Sequence, residues 1–115
     1  MIDAIEAYNM MPSVIKEEEH KEKLLKKIEN KIIEAAKQNK SSITIQTAPD
    51  MFNLVRKELK EHNYRWTNLS HFETVREFLN FKEFHGDPNM LYPPRYNPIN
   101  HEYEFSYCID WNFNI

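Results

Sequence analysis

From Glu102 to Ile115 the chain alternates without a break. Tyr103, Phe105, Tyr107, Ile109, Trp111, Phe113 and Ile115 hold the odd positions, and Glu102, Glu104, Ser106, Cys108, Asp110, Asn112 and Asn114 the even ones. Side chains on a strand point alternately to opposite faces, so the pattern predicts one long strand with a buried aromatic face and a wet polar face. At roughly 3.3 Å per residue it spans about 40 Å. Any fold for this chain has to cover that face. The other strand signals are short: Ser42–Thr47 (SITIQT), with Ile43 and Ile45 inward, and Tyr64–Thr67 (YRWT). Neither covers the last strand, so its excess is expected to pair with another copy of the chain by strand addition or swapping. Tyr103, Phe105, Tyr107, Ile109, Trp111 and Phe113 are therefore the candidate homo-oligomer interface. A bend in the strand, or a hairpin partner from residues 74–84, is the alternative.

The segments between the strands read as helices. Pro49–Asp50 opens one, with Asp50 as the expected cap, and Met51, Phe52, Val55 and Leu59 form its buried face before His62–Asn63 ends it. Strand, helix and strand make a βαβ-like unit whose strands run parallel through a right-handed crossover. In the N-terminal third, Leu24, Leu25, Ile28, Ile32 and Ala36 share one helix face, with Val14 and Ile15 on about the same side. Lys16–Lys23 (KEEEHKEK) contains no apolar residue, and Glu17–Lys21, Glu19–Lys23 and Glu22–Lys26 are favourable i,i+4 pairs. That stretch is expected to cross solvent. Pro12 divides off a shorter piece, Ile2 to Met10, whose Ile5 and Tyr8, with Met11, must dock somewhere. Asn39–Lys40 is the expected stop, since asparagine tolerates the left-handed conformation. Ser70-x-x-Glu73 has capping-box spacing ahead of Phe72, Val75, Phe78 and Leu79, so a third helix is expected to about Phe84, with a strand as the alternative. Asp87–Asn100 (DPNMLYPPRYNPIN) holds four of the six prolines and reads as an extended surface loop. The expected architecture is a single α+β domain over 1–115: a helical arm at 1–40, a βαβ-like unit, a third helix, the Pro-rich loop at 87–100, and the long C-terminal strand in a small sheet.

Composition narrows the function classes. A chain of 115 residues with 41% hydrophobic and 13% aromatic residues buries a core as one domain. Gly86 is the only glycine, so no glycine-rich phosphate cradle is present and no cofactor is expected. Cys108 is the only cysteine and has no internal disulfide partner, which points to a reducing compartment. Met1–Met11 carries Asp3 and Glu6 without a basic flank, so it is not expected to be a signal peptide. No apolar run approaches the roughly 20 residues of a membrane helix, so no membrane partner is expected. The formal net charge of −3 includes no strongly basic stretch, and nucleic acid is not an expected partner.

Candidate chemistry is thin. The five histidines, His20, His62, His71, His85 and His101, lack the tight paired spacing of a zinc site, and no metal is expected. The thiol of Cys108 sits among acidic neighbours, which work against an activated thiolate. Glu102 and Glu104 share a strand face, most simply its wet side, and His85-Gly86-Asp87-Pro88 has the residues of a turn. Aromatic residues and arginine on a proline-stiffened loop are the residue types of binding hot spots. Tyr92, Arg95 and Tyr96, joined by Arg65 and Trp66, are the candidate binding residues for a protein or a small-molecule ligand.

The order of elements adds a resemblance. The helix end KKIENKIIEAAKQNK leads into SSITIQ, the next helix ends VRKELKEHNYRW, and the last strand contains the step Ile109-Asp110-Trp111. In these residues, about 14–68 and 103–111, the chain resembles a broad set of small bacteriophage α+β proteins. Asn39–Lys40 and His62–Asn63 stand where those proteins carry glycine in the turns. The resemblance implies a phage or mobile-element origin and action in the host cytoplasm or within a virion. The expected function is a non-enzymatic binding protein that modulates or inhibits a host or defence component by occupying a protein surface or sequestering a ligand. A virion structural or accessory assembly protein is the alternative.

Overall fold

The structure is a computed structural model that describes residues 1–113. The described residues form four helices and a four-stranded antiparallel sheet, an α+β fold. The helices are α1 (Ala4–Asn9), α2 (Pro12–Lys37), α3 (Pro49–Glu61) and α4 (Val75–His85). The strands are β1 (Ser42–Thr47), β2 (Arg65–Asn68), β3 (Arg95–Asn97) and β4 (Glu102–Asp110).

The long alternating segment is the centre of the sheet. β4 pairs antiparallel with β1 from Ser42↔Asp110 to Thr47↔Phe105, and on its other side with β2 from Arg65↔Asp110 to Asn68↔Tyr107. β1 and β2 therefore run parallel to each other, as expected of the unit, but β4 lies between them. β3 pairs with the start of β4 from Arg95↔Glu104 to Asn97↔Glu102. The Pro-rich segment is thus not a loop throughout, because Arg95–Asn97 is a strand and residues 98–101 are the turn that returns the chain into β4. This also changes the expected length of the last strand. It ends at Asp110; Trp111 to Phe113 continue as irregular chain, and Ile115 lies outside the described residues.

One face of the sheet is covered by helices. Phe105, Tyr107 and Ile109 are buried with Ile45, under Leu24, Ile28 and Ile32 of α2 and Phe52, Val55 and Leu59 of α3. Phe52 stacks on Tyr107 with ring centroids 3.8 Å apart and 3° between the planes. α4 closes the other end, where Phe78 meets Phe72 at 5.4 Å and Tyr103 at 5.6 Å. The opposite sheet face carries Thr44, Gln46, Thr67 and Cys108.

The helix ends follow local chemistry. α2 and α3 both begin with proline at the first helical position, where its missing N–H costs nothing. The α3 cap is Ala48, and Asp50 sits inside the first turn rather than at the cap. Asn39 (φ 60°) and Asn63 (φ 67°) take the left-handed conformation just past α2 and α3. Lys40 N then donates to Ala35 O at 2.9 Å and Tyr64 N to Leu59 O at 2.9 Å, the Schellman arrangement in both cases. For α4 the cap is Thr74, whose hydroxyl accepts from Glu77 N at 3.1 Å, while Glu77 accepts from Glu73 N at 3.0 Å. Ser70 is used elsewhere. It is buried, and its Oγ accepts from Ser106 N at 3.0 Å, so it completes the β4 ladder where the chain turns away from the sheet.

The first half of α2 does not join the core. Residues 1–13 are all exposed, and the first buried side chain of the helix is Leu24. Val14 is half-buried and Ile15 exposed, so burial along this face falls off ahead of Leu24. Between the two regions α2 meets α3 mainly through polar side chains, with Lys21 Nζ 3.6 Å from Glu58 Oε1 across a groove that Glu17, Glu18, Leu54, Lys57 and Glu61 also line.

Candidate functional site

The β3–β4 hairpin and the segment leading into it hold three of the five candidate binding residues, Tyr92, Arg95 and Tyr96. Pro94 is buried at its base and anchors the segment to the body. At its tip, Asn97 Oδ1 accepts from Ile99 N at 3.0 Å and Asn100 Oδ1 accepts from Glu102 N at 3.2 Å. His101 adopts φ 56° to close the turn. Tyr96 lies edge-on to Tyr103 with centroids 5.2 Å apart, and its hydroxyl is 2.9 Å from His101 Nδ1. Alternation sends Arg95 to the opposite face, cross-strand from Glu104. Leu91, ahead of the hairpin, and Ile99, in its turn, are 85% and 91% exposed, and Tyr92 and Tyr96 are exposed as well. Leu91 and Ile99 carry no sequence signal beyond being apolar among turn residues.

Arg65 and Trp66 do not join this surface. They pair with β4 at Asp110 and Ile109, whereas the hairpin pairs at Glu102–Glu104, about 20 Å away along the strand. The expected single patch is therefore two separate places. Arg65 also has a structural partner: its Nε and Nη2 reach Asp110 Oδ1 at 2.9 and 2.6 Å, and Nη2 donates to Asn112 O at 2.6 Å. This clamp fastens the chain beyond β4. Trp66 points to the helix-covered face, edge-on to Phe52 at 5.1 Å.

The candidate oligomer interface is largely spent inside the chain. Phe105, Tyr107 and Ile109 are buried in the chain's own core, and Tyr103 and Trp111 are half-buried against it. The expectation sought cover for the strand among other strands, whereas within the chain α2 and α3 cover it. Only Phe113 of that set is exposed.

A groove of about 440 Å³ opens between α2 and α3. Leu25, Ile28, Ile32, Leu59 and Tyr64 form its apolar floor, and Glu29, Glu58 and His62 stand at its rim. His62 Nε2 is 3.8 Å from Glu58 Oε2. Sequence reasoning assigned these apolar residues to the core and did not foresee a groove, because the spacing of two helices is not written in either one.

Two side chains have shifted protonation. Burial, with Asp50 nearby, pushes the Tyr107 phenol up to about 12. Burial and then Asp110 push the Cys108 thiol up as well, the direction opposite to that of an activated nucleophile. Among the described residues no three of His, Cys, Asp and Glu gather in a way that holds a metal ion, and no helix is long and apolar enough to cross a membrane. Comparison with protein families, with curated proteins and with solved structures finds no match for this chain.

Proposed function

We propose that this chain is a non-enzymatic binding protein that acts by occupying the surface of a protein target. The observation that carries the reading is the β3–β4 hairpin. It carries Tyr96 on one face, Arg95 on the other and Ile99 in its asparagine-closed turn, with Leu91 and Tyr92 exposed just ahead of the buried Pro94. Tyrosine and arginine flanked by apolar side chains on a rigid element suit a contact that loses little entropy on docking. The resemblance to small bacteriophage proteins makes the target a host or defence component in the bacterial cytoplasm.

A two-residue variant tests the reading. Arg95→Ala with Ile99→Glu changes two exposed side chains, and the alanine avoids setting a second carboxylate cross-strand from Glu104. Produced in a bacterial host, the wild-type chain is expected to retain a specific protein, and the variant to bind that purified protein at least about tenfold more weakly. Equal affinity of the two chains for it removes the hairpin as the contact surface. The exposed apolar N-terminal segment favours a second reading, a virion assembly protein, for which the chain would be found in purified particles.

A further inference from the structure

β1 is an open edge of the sheet, because the strand order places it beside β4 alone. Two contacts fix which of its backbone groups are unused. Trp111 N donates to Ser41 O at 2.9 Å, and Leu69 N donates to Ser106 O at 2.8 Å. The odd-numbered residues from Phe105 to Ile109 therefore bond β1, through the pairs Ile43–Ile109, Ile45–Tyr107 and Thr47–Phe105, while the even-numbered ones face β2. Ser42, Thr44 and Gln46 turn their N–H and C=O groups outwards, and no other described residue bonds to them. Proteins blunt such edges with charged side chains, proline, bulges or very short strands. β3 has three residues between Pro94 and Pro98, and β2 has four, beginning with Arg65. β1 has six uncharged residues, SITIQT, in unbroken register with β4.

We infer that this edge is a docking site for an extended, acidic segment of a partner protein, which joins the sheet as a further strand beside β1. Outward N–H and C=O groups on alternate residues are what an added strand bonds. The neighbouring side chains supply the charge preference. A groove of about 340 Å³ lies between the last turns of α2 and β1, with Lys31, Glu34, Gln38 and Lys40 beside Ser42 and Thr44. Over residues 31–47 three Lys stand against one Glu, in a chain whose net charge is −3. Asp110, cross-strand from Ser42, is taken up by Arg65. Carboxylates on the helix-side face of an added strand therefore meet Lys31 and Lys40. A second copy of β1 is the poorer occupant, since residues 41–47 carry no charge to set against those lysines. The site shares no residue with the β3–β4 hairpin, so it stands or falls apart from the function proposed above.

A capped heptapeptide alternating glutamate and valine has the strand propensity and the charge that the edge calls for, and its lysine–valine counterpart is the control. Amide hydrogen exchange of the full chain, followed by NMR, reads the edge with and without peptide. In the chain alone the amides of Ser42, Thr44 and Gln46 are expected to exchange fast, and those of Ile43, Ile45 and Thr47 slowly. The glutamate peptide, titrated to about 2 mM, is expected to bind and to slow the first three amides about fivefold or more, and the lysine peptide to do neither. Lys31→Gln with Lys40→Gln changes two exposed side chains and is expected to weaken the glutamate peptide about fivefold or more. Arg95→Ala with Ile99→Glu, on the hairpin, is expected to leave that binding unchanged. A glutamate peptide that does not bind, or that binds without protecting Ser42, Thr44 and Gln46, overturns the inference. So does equal binding of the two peptides. Slow exchange of those three amides in the chain alone, accompanied by a dimeric mass, overturns it in favour of a second copy on the edge.

Discussion

Two asparagines do the work of the glycines this chain lacks. Asn39 and Asn63 each hold a left-handed φ just past a helix, and each lets the amide of the next residue bond a carbonyl of the last helical turn. Alanine keeps the β-carbon that crowds a left-handed backbone and lacks the short polar side chain that offsets it in asparagine, so Asn63→Ala is expected to cost about 1 kcal/mol in urea denaturation, while Asn63→Gly is neutral or stabilising. Tyr107 makes a separate prediction. Its phenol is pushed from 10.0 to about 12 in the fold, so the folded state binds that proton more tightly than the unfolded chain does. The contribution is complete below pH 10 and is lost as pH rises towards 12, an effect on the order of 2–3 kcal/mol. Tyr107→Phe should flatten the decline in stability over that window, as read by denaturation midpoints at pH 9, 10 and 11. Cys108, held in the neutral thiol form by burial and Asp110, should alkylate with iodoacetamide at pH 8 more slowly than free cysteine.

At the scale of the element, α2 shows how one helix carries two kinds of surface. Ile28 is 1% exposed and Ile33, five residues on, is 46% exposed. Ile28→Ala should therefore cost about 2–5 kcal/mol and Ile33→Ala less than about 0.5 kcal/mol in the same titration. The periodicity that identifies the buried face is visible in Leu24, Ile28 and Ile32, but it does not stop where burial stops: Ile15 continues the face into solvent. The start of α4 shows a second limit. Both Ser70-x-x-Glu73 and Thr74-x-x-Glu77 have capping-box spacing, and the sheet decides between them by taking the Ser70 hydroxyl for Ser106 N. Ser70→Ala strands that buried N–H and should cost about 1–3 kcal/mol. β3 was hidden for a different reason. Three residues between Pro94 and Pro98 are too few to show alternation, and their pairing depends on Glu102–Glu104 across the turn.

Across the whole molecule, the α+β class, the two short outer strands and the three longer helices were readable because each rests on local periodicity and caps. The sheet order was not. Nothing in β1 or β2 announces that β4 will lie between them, and the aromatic face of β4 looked like an interface only while its helical cover was unknown. The candidate site suffered in the same way: Arg65 and Trp66 are close to the hairpin in composition but about 20 Å from it along β4. Native-state hydrogen exchange should show this architecture directly, with the slowest amides in β4 around Phe105–Ile109 and the fastest over residues 1–13. The placement of β4 also governs how a newly made chain becomes a protein. Until translation passes Asp110, β1 and β2 lack their shared hydrogen-bonding partner and the inner faces of α2 and α3 lack Phe105, Tyr107 and Ile109 beneath them. Any fragment released before that point offers chaperones and proteases an open hydrophobic chain, so the cell receives this protein either folded throughout or fit only for degradation.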